Sequence, residues 1–173
     1  MQHDDTLYMG FNVDLERHGF SRFIRARYPT ITLVPVQTRT AGALDTVSRI
    51  LGTIKEPGRR TVCLDGDTFY RCDILQMCRD FACPSGAVIV HPTHSPEPLF
   101  SYVQCDSQGY VSEIAEKDPI SELACTGCYV FPSATQLGEI AAPILATPAT
   151  TEHYMSDAVR DPSSAPRHPA PLW

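Results

Sequence analysis

Lysine is almost absent from this chain: Lys55 and Lys117 are the only two, against 12 arginines, in 173 residues. Acidic side chains outnumber basic ones by 20 to 14, for a net charge of -6. A broadly basic surface of the kind that neutralises nucleic-acid backbones is therefore excluded, and no nucleic-acid partner is expected. No apolar run comes near the roughly 18 residues that a membrane helix needs, so no membrane partner is expected either. The opening Met1-Gln2-His3-Asp4-Asp5 is polar and acidic with no apolar stretch behind it, which does not describe a secretory leader. A second Cys-x-x-Cys is also missing. Seven cysteines stand at 63, 72, 78, 83, 105, 125 and 128, and only Cys125 and Cys128 have the two-residue gap of a zinc or redox pair. A structural zinc calls for a second pair of similar spacing. An odd cysteine count without a leader points to reduced thiols and a cytoplasmic chain. On a strand, Cys125 and Cys128 would point to opposite faces or nearly so, which favours buried small hydrophobes over a metal or redox role.

Hydrophobic residues make up 43% of the chain and charged residues 20%, the balance of a globular protein. The length suits one domain with a tail. Thr6 to Asn12 reads as a short buried strand, and Asp14 to Tyr28 as a helix with Phe20, Phe23, Ile24 and Tyr28 on one face. Ile31 to Val36 is a second strand. Ala43, Val47, Ile50 and Leu51 make the stripe of a second helix, closed by Gly52. Thr61 to Leu64 is a third strand, residues 74 to 81 a helix with Ile74, Leu75, Cys78 and Phe81 inward, and Gly86 to Val90 a fourth strand. Strands alternating with helices predict a mainly parallel sheet covered on both faces. The pattern then changes. Phe100 to Cys105 and Tyr110 to Glu116 read as a hairpin around Asp106-Ser-Gln-Gly109, followed by a strand over 126–131 and a helix from Ser133 to about Ala146. Six of the 15 prolines fall after residue 142, and residues 160–173 have the composition of a disordered tail, leaving 1–159 as the domain.

The strongest chemical signal is Leu64-Asp65-Gly66-Asp67-Thr68, an acidic turn directly after a buried strand. Ligands of open α/β sheets bind at the carboxyl ends of the strands. Two carboxylates there suit a hard cation such as Mg²⁺, which uses one or two protein carboxylates plus substrate phosphates. A polar turn with an Asp N-cap is the plain alternative. Nucleotidyl transfer, glycosyl transfer from a nucleotide sugar, and phosphatase chemistry of the Asp-x-Asp-x-Thr/Val kind all use such a turn. For the phosphatase, Phe69 stands where Thr or Val belongs.

Four motifs in order resemble the sugar-phosphate nucleotidyltransferases: Thr40-Ala-Gly-Ala43, Leu64-Asp-Gly-Asp67, Glu116-Lys117 and Thr126-Gly-Cys-Tyr129. The stretch from Ser101 to Lys117, followed by Ile120-Ser121, is similar to the branch of that family acting in capsule and phosphocholine-type precursor synthesis, with cytidylyl- or other nucleotidyltransferases. The resemblance spans roughly residues 5 to 159. It implies a three-layer α/β/α sandwich with a mixed, mainly parallel sheet, the Rossmann-like fold of nucleotide-diphospho-sugar transferases. The activity implied is transfer of NMP from an NTP to a phosphorylated sugar or similar small acceptor, with Mg²⁺, giving an NDP-linked product and pyrophosphate. The metal is implied at Asp67, with Lys117 as a second catalytic group. Thr40, Gly42, Ala43, Asp65 and Gly66 are implied on the nucleotide, and Glu116, Lys117 and Gly127 on the acceptor. A homo-oligomer is compatible with the family.

The residues themselves admit each role beside a plainer one. Gly42 opens a helix, where a Cβ would obstruct close approach to backbone N–H groups, but ordinary capping uses the same residue. Lys117 can meet a phosphate oxygen or be half of a solvated charge pair. Gly127 inside a strand marks either close approach of a ligand or a bulge. Thr151 to Asp157 resembles a Glu-Tyr-Tyr-x-Thr-Asp segment of related uridylyltransferases, with His153 replacing the first Tyr and Ser156 or Asp157 expected near the substrate mouth. The family's opening strand with its Gly-x-Gly-x-Arg triphosphate loop has no match in residues 1–30, nor does its later Asp-Gly-Thr metal ligand, so the resemblance implies a chain shortened at both ends. Two other readings stay open: a binding protein that keeps the fold without catalysis, and a phosphatase or glycosyltransferase using Asp65 and Asp67.

Overall fold

The computed structural model describes residues 4–37, 39–80, 85–147, 152–160 and, for the backbone, 168–171. The chain opens with strand β1 (Tyr8–Asn12), which pairs in parallel with β2 (Thr32–Val36), Tyr8 opposite Thr32 and Asn12 opposite Val36. The single helix expected over 14–28 is two pieces. A 3-10 turn runs over Val13–His18, and α1 over Phe20–Arg27. Gly19 separates them in the left-handed region at φ 69°, its N–H bonded 2.8 Å from the Glu16 carbonyl. A glycine adopts that conformation without a Cβ penalty, so the first piece ends there. The expected apolar face is correspondingly not buried as one stripe: Ile24 is buried, while Phe23 is 68% exposed.

Helix α2 (Ala43–Leu51) closes over β1, so tightly that a Cβ on Gly10 would stand 2.8 Å from the end of the Ile50 side chain. The main sheet follows. Its strands are β3 (Thr61–Leu64), β4 (Ala87–Pro92), β5 (Ser101–Cys105), β6 (Val111–Glu116), β7 (Leu123–Phe131) and β8 (His168–Pro171), in the order β6-β5-β7-β4-β8, with β3 also on β7. Helix α3 (Ile74–Asp80) connects β3 to β4. Helices α4 (Ala134–Ala146) and α5 (Met155–Arg160) follow β7. The residue Phe81, expected to point inward from α3, lies outside the described residues.

The α/β class holds, and the ladders inside it differ from a mainly parallel sheet. β7 runs antiparallel to β3, β4 and β5, and the parallel pairs are β1–β2 and β4–β8. Since β3 and β4 both oppose β7, they run the same way, as a strand–helix–strand unit requires. What alternation along the chain cannot reveal is that β7, arriving later from the hairpin side, inserts between them. The hairpin itself is as expected: Asp106 accepts from the backbone N–H groups of Gln108 and Tyr110, and Gly109 turns the chain at φ 79°.

Two apolar clusters lie on the two faces of this sheet. One gathers Val88, Val90, Val103, Ile114, Cys125, Tyr129 and Phe131 beneath Leu44 of α2, Leu137, Ile140 and Ala141 of α4, and Met155, Ala158 and Val159 of α5. The other joins Ala87, Ile89, Cys128 and Val130 to Ile74 and Cys78 of α3. Helices over both faces give the three-layer sandwich, and the alternation of Val88 and Val90 against Ala87 and Ile89 is what a strand buried on both sides requires. Cys125 and Cys128 are buried on opposite faces, as strand geometry predicted. α4 starts at Ser133, whose hydroxyl accepts from the Gln136 N–H at 3.0 Å.

The stretch 160–173, expected to form no regular structure, contains β8. Its backbone pairs with β4, Ala87 opposite His168 and Val90 opposite Pro171. β8 ends the sheet order, and an edge strand tolerates Pro169 and Pro171 because a residue without an N–H can face away from the ladder. Residues 161–167, 172 and 173 lie outside the described residues. No described helix is long and apolar enough to cross a membrane.

Candidate functional site

The acidic turn leaves β3 and folds against β7. The Asp65 N–H donates to the Gly127 carbonyl at 2.9 Å, and a Cβ on Gly127 would stand 2.3 Å from Asp65 Oδ2. Gly127 has φ 77° and sits in a bulge: Ile89 faces Cys128 while the next residue, Val90, faces Cys125, so Thr126 and Gly127 bow out of the ladder. The sequence signal at Gly127 was thus a real close approach, and what approaches is the protein's own carboxylate. Partial burial there raises the Asp65 pKa above the ordinary 3.8, and the negative charges of Asp67 and Glu116 raise it further. Gly66 and Asp67 are exposed on the turn, and so is Phe69, at 96%; Asp65 keeps part of its surface open to solvent while its carboxylate packs against Gly127.

The end of β6 supplies the second half. Glu116 is half-buried and accepts from two hydroxyls, those of Ser101 and of Ser156, the latter at 3.1 Å. Tyr129 is hydrogen-bonded to Ser101 in turn; burial and its nearness to Cys125, Asp65 and Glu116 push its phenol well above the usual range, so it stays neutral. Lys117 follows at φ 53°, with its N–H held by the Phe100 carbonyl at 2.9 Å. Among the described residues it is the one non-glycine with positive φ, a conformation bulky side chains avoid. That backbone turns Lys117 out of the sheet, exposed, its ammonium 5.4 Å from the centre of the Tyr154 ring.

The third part is the loop before α2. The Thr40 hydroxyl is 2.7 Å from that of Thr46, and Asp45 accepts the Ala41 N–H at 2.9 Å. The Arg49 guanidinium beside Asp45 holds its carboxyl below the ordinary value. Gly42 has φ 132°, and a Cβ there would stand 2.5 Å from the His153 carbonyl oxygen and 2.8 Å from its nitrogen. Two backbone hydrogen bonds fix that contact, His153 N–H to Ala41 at 2.7 Å and Leu44 N–H to His153 at 3.0 Å. As at Gly127, the close neighbour is the protein itself.

The segment 153–156 therefore joins two halves: His153 buttresses the Thr40-Ala43 loop, while Tyr154 and Ser156 reach Lys117 and Glu116. Asp65, Asp67, Glu116 and Gly127 are brought together; Thr40, Gly42 and Ala43 adjoin them through His153. Sequence reasoning missed Ser101 and Tyr129. Counting back from the Cys105–Val111 pair at the 106–109 turn would set Ser101 opposite Ala115; the ladder slips by one position between Gln104 and Cys105, and that slip makes Glu116 its partner. Away from this site, an open cleft of about 460 Å³ is lined by Thr93, His94, Tyr102, Ser121 and Glu122 and holds none of the residues above.

A family model described as nucleotidyl transferase matches residues 16–164. The chain belongs to that family. Among solved structures, this chain is similar to a nucleoside-diphosphate-sugar pyrophosphorylase from Vibrio cholerae RC9, with 19% identity, a TM-score of 0.76, and coverage of 98% of this chain and 73% of that one. A second similar structure, from Bacillus anthracis, is described as a glucose-1-phosphate thymidylyltransferase in complex with a sucrose. It shares 15% identity with a TM-score of 0.74, over 96% of this chain and 67% of the other. At these identities the likeness is one of fold. No curated relative matches the chain.

Nucleotidyltransferases generally use a divalent metal. Among the described residues no group of three or more His, Cys, Asp or Glu is arranged to hold one. The oxygen donors fit Mg²⁺ all the same, because that ion takes one or two carboxylates and completes its shell with water and substrate phosphate. The like charges that raise the Asp65 pKa are those a cation would relieve.

Proposed function

We propose that this nucleotidyl transferase moves NMP from an NTP to a phosphorylated sugar or similar small phosphorylated acceptor, releasing pyrophosphate. The observation that carries the reading is the crowding of Asp65, Asp67 and Glu116 around one strand-end turn, beside an outward-turned Lys117. In this reading an acceptor phosphate oxygen attacks the α-phosphorus of the NTP in line, and pyrophosphate leaves from the opposite side. Asp67, with Asp65 behind it, would hold Mg²⁺, which supplies positive charge to the phosphate oxygens as the transfer proceeds. Lys117 neutralises the acceptor phosphate, and the ring of Tyr154 keeps its ammonium forward. Glu116, fixed by two serine hydroxyls, hydrogen-bonds an acceptor hydroxyl, with Gly127 beside it. Thr40, Gly42, Ala43 and Gly66 face the nucleotide. The carboxylates must be ionised to hold a cation, so the raised Asp65 pKa makes Mg²⁺ binding weaken on acidification at a higher pH than an ordinary aspartate would. The chain would act in the cytoplasm.

One set of observations favours a second reading, a protein that binds without catalysis. The two glycines expected to admit ligand admit Asp65 and His153 instead. Phosphorus NMR of the chain with Mg²⁺, several NTPs and several sugar phosphates separates the readings. The proposed activity gives pyrophosphate and a diphosphate-linked product only when all three components are present, and Asp67→Asn abolishes both. Binding of NTP with no product supports the second reading. Orthophosphate released from the sugar phosphate without NTP means phosphatase chemistry at the same turn.

A further inference from the structure

None of the six described cysteines was given a role in the site just described, and two of them touch. Cys78 of α3 and Cys128 of β7 are 2% and 0% exposed, and their sulfurs lie 3.6 Å apart. They belong to the smaller apolar cluster, the layer in which α3 is the covering helix. Both are free thiols, so the structure shows the reduced pair. We propose that Cys78 and Cys128 are an oxidisable dithiol, which a peroxide converts reversibly into a disulfide bracing α3 and the acidic turn against β7.

The surroundings divide the roles. The hydrogen bond between the two sulfurs and the positive charge of the Arg60 and Arg79 guanidinium groups make Cys78 the thiol held below the ordinary range. Arg60 is anchored beside it by a 3.1 Å bond to the Cys78 carbonyl. Cys128, in contact with the thiolate-forming partner and buried, is pushed up and stays a thiol. Cys78 is therefore the nucleophile and Cys128 the resolving thiol. The Cys78 thiolate attacks one peroxide oxygen, the O–O bond breaks, and the leaving hydroxide takes a proton to become water, leaving Cys78 as the sulfenic acid. Cys128 sulfur then attacks the Cys78 sulfur, giving up its proton, and the sulfenic oxygen departs as the second water. Two thiols and one peroxide become one disulfide and two waters.

The geometry makes the bond accessible and consequential. A disulfide is about 2.05 Å long, so roughly 1.5 Å of closure between the two sulfurs is needed. Cys128 is the residue after Gly127, where the Asp65 carboxylate rests. Tyr70 already ties the start of this segment to β7, its hydroxyl bonded 2.8 Å from the Thr126 carbonyl. The disulfide would pin the segment's other end and close a loop spanning 50 positions. Neither the proposed transfer reaction nor any substrate enters this inference.

Treating the full chain with hydrogen peroxide, blocking residual thiols with an alkylating agent after unfolding, and mapping peptides by mass spectrometry is the test. The expected result is one crosslinked peptide pair joining Cys78 to Cys128, lighter by two hydrogen atoms, lost on adding dithiothreitol, and accompanied by a rise in melting temperature. Cys78→Ser and Cys128→Ser each abolish the crosslink; wild-type mapping decides the matter even where a variant folds poorly. Sulfinic acid at Cys78 with Cys128 still alkylated, a crosslink to the exposed Cys72 instead, or no crosslink at all overturns the proposal.

Discussion

Two aspartates in this chain have opposite dependences on pH, and each dependence follows from what the carboxyl touches. Asp65 is raised above 3.8 by burial and by Asp67 and Glu116. Its folded state binds the proton better than the unfolded chain does, so its contribution favours folding below 3.8 and is lost as pH rises through the folded value. At neutral pH the ionised Asp65 costs stability. Asp65→Asn should therefore raise the melting temperature at neutral pH, with the gain fading as pH falls toward 3.8. Asp45 is lowered, chiefly by its hydrogen bond to Arg49. It contributes stability above 3.8 that is lost as pH falls through the folded value, so Asp45→Asn should lower the melting temperature at neutral pH and lose its effect in acid. Melts of the two variants across that range check both signs; parallel curves would contradict the environments assigned here. Saturating Mg²⁺ should reverse the Asp65→Asn ranking, because the wild type gains a bound cation that the variant holds less well. Gly127→Ala is the third case. It forces an L residue to φ 77° and drives the Asp65 carboxylate from its seat, at a cost of about 1–2 kcal/mol from conformation alone, read as a lower urea midpoint with unchanged slope.

At the scale of elements, the loop before α2 and the segment before α5 behave as one unit. Gly42→Ala puts a Cβ into the His153 backbone and strains φ 132°. That should cost about 1–3 kcal/mol for the backbone conformation, with the two hydrogen bonds through His153 weakened as well. Denaturant titration measures the loss, and near-neutrality would mean the two segments are not coupled. The elements themselves were largely legible. Periodicity placed β1, β2, α2, β3, the β5–β6 hairpin and α4 because each has a regular stripe or a strong turn. The 14–28 helix failed because Gly19, within a stretch of helical period, takes the left-handed conformation that ends one helical piece and starts another. β7 began earlier than expected, at Leu123, since Thr126 and Gly127 bulge and interrupt its alternation. In the site, Asp65, Asp67, Glu116 and Lys117 stood out by type and place along strand ends. Ser101 and Tyr129 did not, because a hydroxyl that buttresses a carboxylate across a ladder resembles any other strand residue until the register is fixed; Ser156 was expected near the substrate mouth from the resemblance at Thr151 to Asp157, and its hydroxyl bonds Glu116.

At the scale of the whole molecule, the sheet depends on its last segment and the site on its two halves. β8 covers the edge of β4, whose Val88, Ile89 and Val90 are at most 1% exposed. Removing residues 161–173 leaves β4 an open, apolar edge, the kind that pairs with other chains. The truncated chain should melt lower by at least about 2–4 °C, the shift for each kcal/mol in a chain of this size, and should aggregate sooner in light scattering. An unchanged melt would return that stretch to the passive tail its proline content suggested. The central claim concerns the two halves: the turn and the Thr40-Ala43 loop take the nucleotide, while Glu116 and Lys117 take the acceptor. Calorimetric titration of Lys117→Ala with Mg²⁺–NTP and, separately, with a sugar phosphate tests it most directly. Loss of a charge-assisted hydrogen bond of about 1.5–3 kcal/mol should weaken the sugar phosphate roughly tenfold to a hundredfold and leave NTP affinity within about twofold. A fall in NTP affinity with the sugar phosphate unaffected would contradict the account.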